Sequence, residues 1–292
     1  MIPAPVAYSR AGSLDEALAM LAEHGEAAKL LAGGQSLIPI LKFRLAAPDR
    51  LIDIGRVDEL RGISASDGGF RIGALTTYRE VLEDDALCGA YPLIREVVED
   101  IGDIQVRNLG TVGGSLAHAD PASDFPALAM VLDAEVEIRS RGGSRREAVT
   151  DFITGPFTTD LSPDEILAAV HLPPLPRGAG TAWFDLPQAA SGYSLVGVAA
   201  VVSDVHGVLG SGTVNDVRVA VTGAAEAPFR ARAVEEALTG TACNEVDLRA
   251  AAAHATDGQE LSHDIHADAE YRASLAQVYV RRALERALKR AG

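Results

Sequence analysis

Leu172-Pro173-Pro174-Leu175-Pro176-Arg177-Gly178 places three prolines within four positions. Proline fixes φ and lacks a backbone N–H, so neither a helix nor a central strand continues through this stretch. The chain is expected to divide here, into one domain over 1–176 and a second over 177–292. A length of 292 residues gives each part enough chain for its own core.

Upstream of the prolines the pattern mixes helices and strands. Ser13-Leu14-Asp15-Glu16 reads as a capping box, and Leu14, Ala17, Leu18 and Leu21 follow at helical spacing up to Gly25. Short apolar strands are expected at Lys29–Leu31, Leu51–Ile54, Phe70–Gly73, Glu135–Arg139 and Ile166–Leu172, and helices at Ala90–Asp100 and Asp124–Leu132. Downstream, Leu195–Val202 and Val217–Val221 read as two buried strands joined by a turn region at Gly207 to Asn215. Helices are expected at Pro228–Leu238, Val246–Ala253 and Ala269–Leu288. Strands followed by helices describe a small α+β domain.

Charge and composition exclude several functions. The net charge is −15, from 41 acidic and 26 basic residues, which leaves no basic surface for a nucleic acid. No apolar run approaches the roughly 20 residues of a membrane helix. Met1 to Arg10 hold two prolines and no basic segment before an apolar stretch, so no signal peptide is read and a cytoplasmic protein is expected. The two cysteines, Cys88 and Cys243, are too few and too distant for a metal cluster. His263 and His266 have a metal-like spacing, but no third ligand stands beside them, and a solvated loop is the expected reading. His118, beside Asp120, is read as a polar loop residue near a binding site rather than an acid–base catalyst. The dinucleotide fingerprint, the P-loop and the nucleophile elbow are all absent.

Two glycine segments carry the chemistry. Ala32-Gly33-Gly34-Gln35-Ser36 follows a strand, and Thr111-Val112-Gly113-Gly114-Ser115 precedes Asp120-Pro121 and Asp124. Paired glycines allow positive φ and let successive N–H groups converge on an anion. Ser36, Thr111 and Ser115 add hydroxyl donors. Two such segments facing each other would cradle a pyrophosphate without a lysine; the plainer reading is that each pair simply turns the chain.

Ala32 to Pro39, and Val106 through Asp124 almost end to end, resemble the flavin loops of the FAD-binding medium subunit of the molybdenum hydroxylases. That family includes aerobic carbon monoxide dehydrogenase and xanthine dehydrogenase. The resemblance continues at Gly155–Thr159, Asp164–Leu167, Gly223–Pro228 and Ile265–Arg272, and so spans essentially the whole chain. It implies an α+β fold: an N-terminal FAD-binding domain of two α+β subdomains (PCMH-type) and a small C-terminal α+β domain. It also implies that Ala32, Gly33, Gly34, Gln35 and Ser36, with Thr111, Val112, Gly113, Gly114 and Ser115, hold the pyrophosphate and ribityl chain of FAD. Asp120 and Asp124 are drawn into the site, Asp124 as acceptor from a ribityl or ribose hydroxyl. Ile101 and Leu167 match positions that pack on flavin or adenine, and Tyr193 matches an aromatic near the flavin face.

As further implications, a large partner chain would carry molybdopterin and a small one the 2Fe-2S clusters, which need about four thiolates each. The assembly would be a dimer of heterotrimers, with electrons leaving the flavin for an external acceptor. Asp103, Gln188, Ala189 and Gly192 depart from the family pattern, where a His, basic residues and an Asp are usual. Two alternatives stand beside this reading: a self-contained FAD reductase using NAD(P)H, and a non-catalytic assembly protein.

Overall fold

A computed structural model describes residues 2–206 and 212–292. β1 (Ala7–Arg10), α1 (Leu14–His24), β2 (Ala28–Leu31), α2 (Leu37–Phe43) and β3 (Arg50–Asp53) build a parallel three-stranded sheet in the order β1-β3-β2. Ser13 caps α1, its Oγ accepting from Glu16 N at 3.2 Å. Glu16 reaches one residue beyond the expected partner, accepting from Gly12 N at 2.7 Å. Leu14, Ala17, Leu18 and Leu21 bury against Ile52, Ile54 and Val57.

A second, antiparallel sheet follows. Its strands β4 (Ile63–Ser66), β5 (Gly69–Gly73), β6 (Glu135–Ser140), β7 (Gly143–Ala148) and, beyond the small hairpin β8 (Ile153–Gly155) and β9 (Thr158–Thr159), β10 (Ile166–Leu172) take the order β4-β5-β10-β6-β7. Between β5 and β6 run α3 (Tyr78–Glu83), α4 (Asp85–Ala90), α5 (Pro92–Asp100), α6 (Ile104–Leu109), α7 (Val112–His118) and α8 (Asp124–Val131). The helix expected at 90–100 starts at Pro92, a residue pre-set for the first helical turn. α9 (Val149–Phe152) follows β7.

Past the proline segment, β11 (Gly180–Pro187), β12 (Ser194–His206), β13 (Thr213–Thr222) and β14 (Phe229–Arg230) form an antiparallel meander, succeeded by α10 (Arg232–Leu238), α11 (Glu245–Ala252) and α12 (Ala269–Arg290). Four strands thus stand where two were expected. The helix expected from Pro228 starts at Arg232, because Phe229 and Arg230 pair with Val221 and Ala220. Of the expected turn, residues 207–211 lie outside the described residues, and Thr213 to Asn215 belong to β13.

β12 shows how the halves join. Val196, Val198, Ala200 and Val202 enter the core under α10 to α12, whereas Ala199 and Val201 enter the core of the second sheet with Trp183 and Ala220. Alternation with both faces apolar marks a strand buried on both sides. α8 packs against β12 and β13, and all its residues, Asp124 included, are buried. Polar ties close the seam: Arg230 Nη1 donates to Met130 O at 3.0 Å and pairs with Asp133 at 2.6 Å, and Trp183 Nε1 donates to Asp100 at 2.9 Å. Among the described residues no helix is long and apolar enough to cross a membrane.

Leu128 on α8 is 1% exposed. We expect Leu128→Ala to cost about 2–5 kcal/mol, the range for emptying a well-packed core position, measured by chemical denaturation of the full chain.

Candidate functional site

Ala32 to Ser36 connect the end of β2 to the start of α2. Among the described residues no protein atom accepts from the backbone N–H groups of Gly33, Gly34, Gln35 or Ser36. Gly34 holds φ +71°, which a side chain rarely adopts. Gly33 is required for a different reason: a Cβ there would lie 1.9 Å from Leu109 O. The loop is therefore pressed against the backbone that leads into the second glycine segment.

That second segment is the first turn of a helix rather than a loop. Thr111 caps α7, its Oγ1 accepting from Gly114 N at 3.1 Å. Val112 N donates to Thr76 O at 3.1 Å, Gly113 N to Ala74 O at 2.9 Å and Ser115 N to Thr111 O at 3.0 Å. The expectation of a second set of free N–H groups is thus corrected: capping and strand contacts already use those of Val112, Gly113, Gly114 and Ser115. What this segment supplies is close approach. A Cβ on Gly113 would meet Ala74 Cβ at 2.4 Å, and one on Gly114 would meet Thr111 Oγ1 at 2.7 Å and Ala32 Cβ at 4.0 Å. Gly114 therefore packs beside Ala32 of the first loop.

The walls come from both domains. Asp124 opens α8, 7% exposed, and its Oδ1 accepts from Ser194 Oγ at the entry of β12, 2.8 Å away. Burial pushes its carboxyl up to about 7 against that hydrogen bond, and Asp185, Asp100 and Asp120 add to the rise. Asp185 is likewise pushed up to about 6 by burial and then by Asp100. The half-exposed Tyr193 turns its hydroxyl to Ser36 of the first loop, near Asp120 and Asp124. Tyr78, missed in the sequence, is buried beside Ser115, Asp124 and Tyr193, and burial raises its phenol well above the usual tyrosine value. The Thr77–Glu80 capping box that opens its helix was the one local signal.

The other expected residues divide. Asp120 Oδ1 accepts from Ala122 N at 2.9 Å and so shapes the bend before α8. Ile101 is partly buried where α5 ends, and Leu167 is 5% exposed in the core of the second sheet. The departures have local work. Asp103 caps α6, accepting from Gln105 N at 2.8 Å and Val106 N at 2.9 Å. Gln188 Oε1 accepts from Ser191 N at 2.6 Å, and Gly192 at φ +77° completes the turn that presents Tyr193. An Asp tolerates that left-handed position better than most side chains, as does Gly. His118 packs its ring on Phe157, with centroids 5.2 Å apart.

Backbone donors of the first loop, close-packed glycines of the second segment, and hydroxyls, carboxyls and an aromatic drawn from both parts of the chain come together in one candidate site suited to a ligand with an anionic group. The chain belongs to the flavoprotein subunits of the molybdopterin dehydrogenases. The family described as FAD binding domain in molybdopterin dehydrogenase matches residues 4–175, and CO dehydrogenase flavoprotein C-terminal domain matches 182–287. The carbon monoxide dehydrogenase medium chain of Afipia carboxidovorans is 37% identical over 291 residues, covering 100% of this chain and 99% of its own. The glyceraldehyde dehydrogenase medium chain of Sulfolobus acidocaldarius is 40% identical over 245 residues, 84% of this chain and 85% of its own. The solved carbon monoxide dehydrogenase of Hydrogenophaga pseudoflava superposes with a TM-score of 0.95 at 36% identity, covering 100% of both chains.

Asp124 sets a pH dependence. A carboxyl whose pKa is raised in the fold stabilises the protein fully below its unfolded value, about 3.9, and that contribution is lost as pH rises through about 7. Asp124→Asn keeps an oxygen for Ser194 and never ionises. In the flavin-free protein we expect the stability advantage of D124N over the parent to grow by on the order of 1 kcal/mol or more between about pH 5 and about pH 8, read by urea denaturation.

Proposed function

We propose that this chain is the FAD-binding, electron-transferring medium subunit of a molybdenum hydroxylase, taking electrons from 2Fe-2S clusters on a small partner chain. A large partner chain would carry molybdopterin and the substrate, and an external acceptor would take the electrons onward. The single observation that carries this reading is the run of four adjacent backbone N–H groups, Gly33 to Ser36, that meet no protein acceptor among the described residues. Backbone donors suit a pyrophosphate on a chain with net charge −15, since they need no basic side chain.

In this reading the Gly33 to Ser36 amides hold the pyrophosphate, Gly113 lets α7 pack on Ala74, and Gly114 leaves room beside the first loop. Asp124 orients a ribityl or ribose hydroxyl, and Tyr193 shields the isoalloxazine. Bound FAD supplies the electron-carrying chemistry; the protein supplies position and field. We therefore assign no nucleophile or general acid to this chain. The division at 176/177, the dimer of heterotrimers and a cytoplasmic setting belong to the same proposal. A non-catalytic assembly role gives no reason for four adjacent amides that meet no protein acceptor among the described residues, and the match of both domains to medium chains favours the subunit over a self-contained reductase.

Flavin reconstitution tests this. We expect the purified chain, incubated with FAD and desalted, to retain it near one equivalent with its visible absorption bands. Gly33→Ala should lose the flavin, whereas Gly89→Ala, whose Cβ meets nothing within 4 Å, should keep it. A parent chain that stays colourless overturns the proposal.

A further inference from the structure

The Ile265–Arg272 segment lies on the C-terminal domain, outside the glycine cradle, yet it reaches that site through one buried cation. Arg272 sits in the first turn of α12, 4% exposed. Its Nη1 donates to Leu195 O and to Gly223 O, each at 2.7 Å, and its Nη2 to Asp264 Oδ2 at 2.7 Å. Its Nε is buried and meets no acceptor among the described residues. Asp264 is itself held in place, its Oδ1 accepting from His266 N at 2.8 Å and Ala267 N at 3.0 Å.

The two carbonyls that Arg272 grips belong to the chain ends that hold the Asp124 segment. Leu195 follows Ser194, whose hydroxyl donates to Asp124 at 2.8 Å, and lies two residues past Tyr193. Gly223 N donates to Pro121 O at 2.9 Å. Beside it, Thr222 Oγ1 donates to Pro121 O at 3.0 Å and to Ser123 O at 2.8 Å. Gly223 has φ +76°, and a Cβ there would come within 2.4 Å of Ser194 O. The start of β12 and the end of β13 are thus pressed together with their carbonyls turned to one guanidinium. The planar fork holds the two carbonyls on one nitrogen and the carboxylate on the other in fixed directions, whereas an ammonium is a point donor that cannot reproduce that spacing.

We propose that Arg272 is a positioning residue of the cofactor site, clamping Leu195 and Gly223 so that Ser194, Tyr193 and the Pro121–Asp124 segment keep their mutual placement. This rests on the FAD reading above. The effect on flavin passes through those neighbours, since Arg272 touches none of the cradle's donors.

The test uses the full chain as parent, R272K, R272M and Leu248→Ala, the last emptying a C-terminal core position that is 3% exposed and outside the clamp. Three quantities are read: FAD affinity by fluorescence quenching, visible circular dichroism of the bound flavin, and hydrogen exchange at the Gly223 amide. We expect R272K, which keeps the charge and loses the fork, to weaken FAD binding about tenfold or more, the scale of one charge-assisted hydrogen bond. Its flavin dichroism should change and its Gly223 amide should exchange faster. R272M should do the same more strongly; should it fail to fold, Asp264→Asn, which frees Nη2 and leaves an acceptor for the turn, replaces it. Leu248→Ala should lower the melting temperature and leave all three quantities at parental values. Parental FAD affinity and Gly223 exchange in R272K overturn the clamp, as does an equal loss of FAD in Leu248→Ala. A parent that takes up no FAD overturns the FAD reading instead, and Gly223 exchange in the flavin-free proteins then decides the clamp alone.

Discussion

The enclosure of α8 between the two domains is the constraint on which the rest of this structure depends. One side of the helix completes the core of the second sheet, and the other meets β12 and β13 of the C-terminal meander. Such a helix has no solvent face and therefore no amphipathic pattern; Asp-Phe-Pro-Ala-Leu-Ala-Met-Val is apolar apart from its first residue. Asp124 is carried into the interior with it. A buried carboxyl is tolerated where it is hydrogen-bonded or protonated, and the Ser194 hydroxyl from the other domain supplies the bond. The C-terminal domain is thus a wall of the site rather than an appendage.

The electrostatics of the cleft follow from the same enclosure. Asp185, Asp100 and Asp120 add to the burial that raises the proton affinity of Asp124, Asp100 adds to that of Asp185, and the indole of Trp183 donates to Asp100. An acidic wall is a poor surface for phosphate, whereas the segment between β2 and α2 is a surface of another kind. There the first loop presents amides that carry no net charge and need no counter-ion. Carboxyl acceptors and amide donors together suit a ligand that carries hydroxyls along one part and a pyrophosphate along another.

Much of this was legible in the chain. The proline segment, the Ser13 cap, the strands ending at Leu31 and Leu172, and the first glycine loop can all be read locally, because each depends on neighbours a few residues away. The second glycine segment was misread for an instructive reason. Gly-Gly beside small hydroxyls looks the same in a loop and in a capped helix; the difference lies in Ala74 and Thr76, which sit some forty residues earlier and take up its amides. β11 and β14 were missed because their pairing partners, not their own patterns, make them strands. Tyr78 could not be singled out, since its place beside Ser115 and Asp124 is created by the packing of α3 against the rest of the domain.

The sequence by itself determined which residue types were available: donors without side chains at Gly33 and Gly34, a net acidic chain, and too few cysteines for clusters of its own. Tertiary structure alone decided which of the two glycine segments keeps its amides unpaired. It also decided which of the 41 acidic residues becomes a buried carboxyl near neutrality, and which of 26 basic residues is walled in as a clamp. The reason is physical. Hydrogen-bond satisfaction and desolvation depend on atoms brought together from distant parts of the chain, and no local pattern records how many of them arrive.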